Sequence, residues 1–129
     1  MLNLHAPYRN NKIIVAPQIL PFNFGDDEMN AGDTTSVQCT VVKGDNPLNI
    51  TWRMNDAEIK TNTQGVSILN SKRVSSLTIE SVQAEHAGEY TCVASNVAGY
   101  ATHSASLNVN VPPRWILEPT DKAFAQGSD

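Results

Sequence analysis

Cysteine is scarce in this 129-residue sequence, basic runs are missing, and no apolar stretch is long. The two cysteines, Cys39 and Cys92, lie 53 positions apart, whereas a zinc site needs four ligands in short-spaced pairs. No Lys/Arg run exceeds Lys72-Arg73, and the formal net charge is −4. The clustered cations that neutralise phosphates are therefore absent, so neither nucleic acid nor an anionic membrane surface is expected as a partner. Wholly apolar runs stop at three or four residues, as in Ile13-Ile14-Val15-Ala16, while a spanning helix needs about 20. Any membrane attachment is thus expected through a span elsewhere in a parent protein. There is no Gly-x-Ser-x-Gly and no glycine-rich phosphate loop. His5, His86 and His103 fall in an N-terminal segment, a corner and a strand edge, with no shared pocket. Asp26-Asp27-Glu28 with Asp33 lacks the spacing of a calcium loop and reads as a solvated turn. No catalytic residue, metal, cofactor or small-molecule substrate is expected.

What is present is a spacing. Trp52 follows Cys39 by thirteen residues, and Tyr90 precedes Cys92 by two. This suits a bridge between two facing sheets, with the indole packed on the sulfurs and the phenol turned back to backbone near Ala84. The expected fold is all-β, a two-sheet Greek-key sandwich of immunoglobulin type with one inter-sheet disulfide. Such a bridge implies an oxidising compartment. Yet Asn3, His5, Arg9, Asn10, Asn11 and Lys12 interrupt any signal-peptide core. Both observations fit a piece of a longer secreted or membrane-anchored protein.

Period-2 alternation locates the strands. Leu20, Phe22 and Phe24 alternate with Pro21 and Asn23 in a first edge strand. Gly25-Asp26-Asp27 and Ala31-Gly32-Asp33 are turns. Thr35–Val42 turns Val37, Cys39 and Val41 inward. After the loop Lys43–Pro47, Leu48, Ile50 and Trp52 face inward, followed by a turn at Asn55-Asp56 and a weak strand near Glu58–Lys60. Val66–Asn70 is a strand, and Leu77 and Ile79 are core positions of the next. Ala84–Gly88 is a short corner, Glu89–Ala94 a strand, Asn96–Gly99 a hairpin turn and Ala101–Val111 the last strand. Residues 1–15 lack periodicity and read as a leader or fragment artefact outside the fold; residues 16–111 form the domain. Pro112-Pro113 is a stiff linker. Residues 114–129 repeat the pattern of Ala16–Asp33 and read as the truncated first strand of a second copy.

The runs Leu77-Thr78-Ile79-Glu80-Ser81-Val82 and Gly88-Glu89-Tyr90-Thr91-Cys92-Val93-Ala94-Ser95-Asn96-Val97-Ala98-Gly99, with Cys39 and Trp52, resemble the I-set immunoglobulin family over about residues 16–111. Further segments are similar to the arthropod Down syndrome cell adhesion molecule family, at its seventh immunoglobulin domain running into the eighth. They are Pro21–Gly25, Val41–Asp45, Ala84-Glu85-His86 and Val111-Pro112-Pro113-Arg114-Trp115-Ile116 with Glu118–Lys122. That resemblance implies a variable domain encoded by mutually exclusive exons, and a tandem-immunoglobulin receptor in homophilic, isoform-specific cell–cell recognition. It implies roles in neuronal wiring and self-avoidance, and in arthropod immunity. The partner would be an identical copy on an opposing cell. One departure stands out: His86 occupies the position where I-set domains usually carry Asp, so Arg73 loses its customary partner unless Glu85 substitutes.

Two surfaces follow. Asn49-Ile50-Thr51 is an N-glycosylation sequon whose Asn49 points outward because Ile50 and Trp52 point in. A glycan there would cover part of the sheet holding Trp52 and Cys92. The other sheet would turn out Ser36, Gln38, Thr40, Ser67, Leu69, Ser76, Thr78 and Glu80, a flat polar surface around one leucine that can pair with itself about a two-fold axis. The rival expectations are a passive structural spacer and heterophilic binding through the glycan-bearing sheet.

Overall fold

The computed structural model describes residues 8–9, 12–25 and 28–111. Its strands are β1 (Tyr8–Arg9), β2 (Lys12–Ile13), β3 (Gln18–Ile19), β4 (Met29–Asn30), β5 (Thr35–Lys43) and β6 (Asn49–Met54). They continue with β7 (Ala57–Ile59), β8 (Val66–Asn70), β9 (Val74–Ile79), β10 (Gly88–Asn96), β11 (Gly99–Leu107) and β12 (Val109–Asn110). One sheet runs β3-β5-β9-β8 and the facing one β11-β10-β6-β7. β12 pairs in parallel with β4, and β1 with β2 as a small hairpin. The expected all-β immunoglobulin sandwich is therefore the fold.

Alternation builds the core. In β5 the odd positions from Thr35 to Val41 are buried, and in β9 Ser75, Leu77 and Ile79 are. Trp52, Tyr90 and Leu107 join them from the facing sheet. Cys39 on β5 is bonded to Cys92 on β10, with Cα atoms 6.3 Å apart. In register, Trp52 sits beside Cys92 and Ser75 beside Cys39. The indole thus lies next to the bridge, and its Nε1–H donates to Ser75 Oγ at 2.8 Å inside the core.

The first edge differs from the expected alternation. Leu20 is 53% exposed, and Ile19 turns inward instead. The register of β3 against β5 shifts between Gln18 and Ile19, and Leu20 N–H donates to Thr40 O just before Pro21. The strand ends there, since proline offers no donor to continue the ladder. Phe22 and Phe24 still pack on the core, edge-on to Trp52 and Tyr90. The last strand is also broken, at Asn108, so that Val109–Asn110 can pair with Met29–Asn30, a short strand the alternation does not reveal.

Asn96 ties one pole together. Its Oδ1 accepts Ala98 and Gly99 N–H, closing the β10–β11 turn, while Nδ2 donates to the carbonyls of Val15 and Asp45. Val15, which composition groups with the N-terminal segment, also donates its N–H to Asp45 Oδ2 at 2.8 Å. Gly44 permits this close approach: a Cβ added there would lie 2.8 Å from Pro17 Cα. The Pro112-Pro113 linker and the repeat-like residues 114–129 lie outside the described residues.

Candidate functional site

The outward side of the β3-β5-β9-β8 sheet is built from the positions between the core residues. Because neighbours in a strand point to opposite faces, burying Val37, Cys39, Val41, Leu77 and Ile79 forces Ser36, Gln38, Thr40, Ser76 and Thr78 outward. The register assembles them into rows: Gln38–Ser76–Leu69, then Ser36–Thr78–Ser67, with Thr40 beside Val74. Ser36 Oγ and Thr78 Oγ1 share a hydrogen bond at 3.2 Å. Leu69 is 76% exposed. Six of the seven expected surface residues, Gln38, Thr40, Ser67, Leu69, Ser76 and Thr78, lie on strands of this one sheet and Glu80 directly follows the end of β9, with Thr40, Ser76 and Thr78 half-buried and the rest exposed. Sequence reasoning misses Leu20 and Val42, whose exposed side chains extend the face at its β3 edge. Val42 shares the parity of Gln38 and Thr40 and was discoverable on that ground; Leu20 was hidden because alternation breaks at Pro21, with Ile19 and Phe22 both turned inward. Glu80 is the one ionised side chain among these residues.

The outward side of the facing sheet is different. Asn49 is exposed, pairs with Ser95, and Ser95 pairs with Tyr100, so the three form a row across β6, β10 and β11. Arg53 stands opposite Glu58 on the same side.

The corner between β9 and β10 buries the residue that stands where I-set domains usually carry Asp. His86 closes a single 3₁₀ turn, Ala84–His86, and is 4% exposed. Its Nδ1 accepts Gln83 N–H at 2.8 Å, so Nε2 carries the proton and donates to Gln64 O at 2.7 Å. Tyr90 hydroxyl donates to His86 O at 2.6 Å, two residues beyond the expected contact near Ala84. Burial pushes the Tyr90 hydroxyl up to about 12. Arg73 bonds backbone: its Nε donates to Val41 O at 3.0 Å. His103, read as a strand-edge residue, stands 4.5 Å ring to ring from Phe22 and bonds its backbone through Nε2. Both histidines hold backbone in place.

Chemically the domain offers surfaces. Among the described residues no group of three or more His, Cys, Asp or Glu side chains is arranged to hold a metal ion. Among them, too, no helix is long and apolar enough to cross a membrane.

Comparison with known proteins agrees with this geometry. The immunoglobulin I-set domain model matches residues 22–109. The chain is 52% identical over 119 residues to cell adhesion molecule Dscam1 of Drosophila melanogaster, covering 92% of this chain and 6% of that protein. It is 39% identical over 108 residues to cell adhesion molecule DSCAML1 of Homo sapiens, covering 84% of this chain and 5% of that one. Among solved structures, the Dscam1 Ig7 domain, isoform 5, is 42% identical with a TM-score of 0.73, covering 74% of this chain and 97% of that one. The titin I-band fragment I67–I69 is 33% identical with a TM-score of 0.70, covering 79% of this chain and 35% of that one. The chain therefore spans about one-twentieth of the length of the curated relatives it matches. From the bridged core to the matched residues 22–109, these findings converge: the chain belongs to the immunoglobulin I-set domain family.

Proposed function

We propose that this domain is a recognition module in the extracellular part of a tandem-immunoglobulin adhesion receptor. It pairs weakly with an identical copy through the outward side of the β3-β5-β9-β8 sheet. The observation that carries this reading is the face itself: a flat array of small uncharged side chains around an exposed Leu69, with Glu80 at one end. Two copies can meet there about a two-fold axis without burying like charges. Similarity to cell adhesion molecules and to Dscam1 Ig7 domains supports it. So does the Cys39–Cys92 bridge, which suits an oxidising compartment.

Glycosylation of exposed Asn49 completes the reading. The Asn49 amide nitrogen would bond the anomeric carbon of N-acetylglucosamine, displacing the diphosphate of a lipid-linked donor with loss of one proton. The sugar then covers the opposite sheet and leaves the proposed face free. Several such domains in one receptor would add their weak contacts by avidity, so a single mismatched copy lowers adhesion steeply.

Sedimentation of a multi-domain ectodomain carrying this segment tests the proposal. Self-association is expected at tens of micromolar, an order-of-magnitude range for small interfaces. Monomer throughout that range overturns it. Similarity to a titin I-band fragment favours a second reading, a passive spacer. A spacer keeps adhesion of the parent receptor when Gln38, Thr40 and Leu69 are replaced by charged residues; a recognition face loses it.

A further inference from the structure

Tyr100, the second residue of β11, is 73% exposed and lies outside the core cluster and the residues packed against it. Its place in the sheet explains it. Tyr100 pairs with Ser95, and Ser95 pairs with Asn49, so the acceptor asparagine and the aromatic flank one small residue. Each lateral step in a sheet is about 5 Å, which sets Asn49 and Tyr100 about 10 Å apart, with Ser95 as the floor between them.

We infer that Tyr100 is the docking surface for the first N-acetylglucosamine of a glycan on Asn49. A hexose ring leaving the Asn49 amide along this row lies over Ser95, whose side chain is too short to block it. Its outer edge then reaches the phenol. The axial C–H groups on one face of the sugar are apolar and slightly positive, and the aromatic face is negative, so the two stack favourably. On the next row, Thr51, Val93 and Thr102 offer a side wall of methyl groups rather than charges. The sugar thereby gains a fixed orientation on this sheet. The inference rests on the glycosylation of Asn49 proposed above.

The test uses the full chain secreted from a glycosylating eukaryotic host, as wild type, Tyr100→Ser and Tyr100→Phe. Each is prepared with the glycan trimmed to its first sugar and with the glycan removed entirely by peptide N-glycosidase. Wild type and Tyr100→Phe are expected to lose about 2–5 °C of melting temperature on removal of that last sugar, and Tyr100→Ser less than about 1 °C. Nuclear Overhauser contacts between the Tyr100 ring and the sugar's ring protons are expected in wild type. Equal losses in all three variants, with no such contacts, overturn the stacking while leaving glycosylation intact. An intact mass lacking any hexosamine on Asn49 overturns both.

Discussion

Trp52 Nε1–H reaches across the core to Ser75 Oγ at 2.8 Å, running alongside the Cys39–Cys92 bridge. Ser75 neighbours Cys39 in one sheet and Trp52 neighbours Cys92 in the other, so the covalent and hydrogen-bonded links join the same pair of rows. Replacing Ser75 by Ala leaves a fully buried indole donor without an acceptor, which costs about 1–3 kcal/mol. Chemical denaturation of Ser75→Ala should show that loss with an unchanged denaturant slope. Removing the bridge by Cys39→Ala with Cys92→Ala should cost more, about 4 kcal/mol for a loop of this length.

The Tyr90 hydroxyl ties alkaline stability to one bond. Its folded value is about 12, raised from 10.0 by burial, while the unfolded chain keeps the ordinary value. A raised folded value means that the folded state holds its proton longer. The associated stability is complete below pH 10 and is lost as pH rises from 10 to 12. Two units correspond to about 2–3 kcal/mol. Tyr90→Phe should melt lower at neutral pH for want of the bond to His86 O, by about 1 kcal/mol, and should show a flatter decline between pH 10 and 12. Melting curves at stepped pH measure both effects; an equally steep decline in Tyr90→Phe would contradict this assignment.

His86 replaces an ion-pair position with a buried neutral ring. Its two nitrogens serve Gln83 N–H and Gln64 O, from the corner and from the loop before β8. His86→Phe keeps the bulk but strands both backbone groups, for an expected loss of about 2–4 kcal/mol. His86→Asp restores the residue type usual for I-set domains yet sets a carboxylate against the Gln64 carbonyl. It should therefore destabilise as well, which equilibrium unfolding would reveal.

These particulars mark how far the fold was legible. Inward positions such as Val37, Cys39, Leu77 and Ile79 follow from alternation, because a central strand has one buried side and period 2 fixes it. The bridge, the indole and the phenol follow from spacing. Ser75 does not: a polar side chain at an inward position looks like a break in the pattern, and its partner comes from the other sheet. Leu20 is misread because the strand ends before Pro21, so that Ile19 and Phe22, three positions apart, both pack inward and parity counted from Phe22 does not carry back to Leu20. His86 is recognisable as a departure, but its burial depends on Gln64, 22 residues away. For the candidate face, parity alone assembles Gln38, Ser76 and Leu69; only the observed register aligns them in one row.

That row offers a decisive test of two-fold pairing. Gln38 is exposed on β5, one of the two inner strands of its sheet, so a contact centred on the face brings the Gln38 side chains of both copies close to the symmetry axis. Gln38→Glu and Gln38→Lys should each fold normally, since an exposed substitution shifts stability by about 0.5 kcal/mol or less. Each alone should self-associate at least about tenfold more weakly, because like charges meet across the axis. Mixed in equal amounts, the two should pair with each other at least as tightly as wild type with itself. Sedimentation of the three samples in a multi-domain ectodomain reads this directly. A mixture no tighter than its components would mean that the Gln38 side chains do not face one another, and isologous pairing through this face would fail.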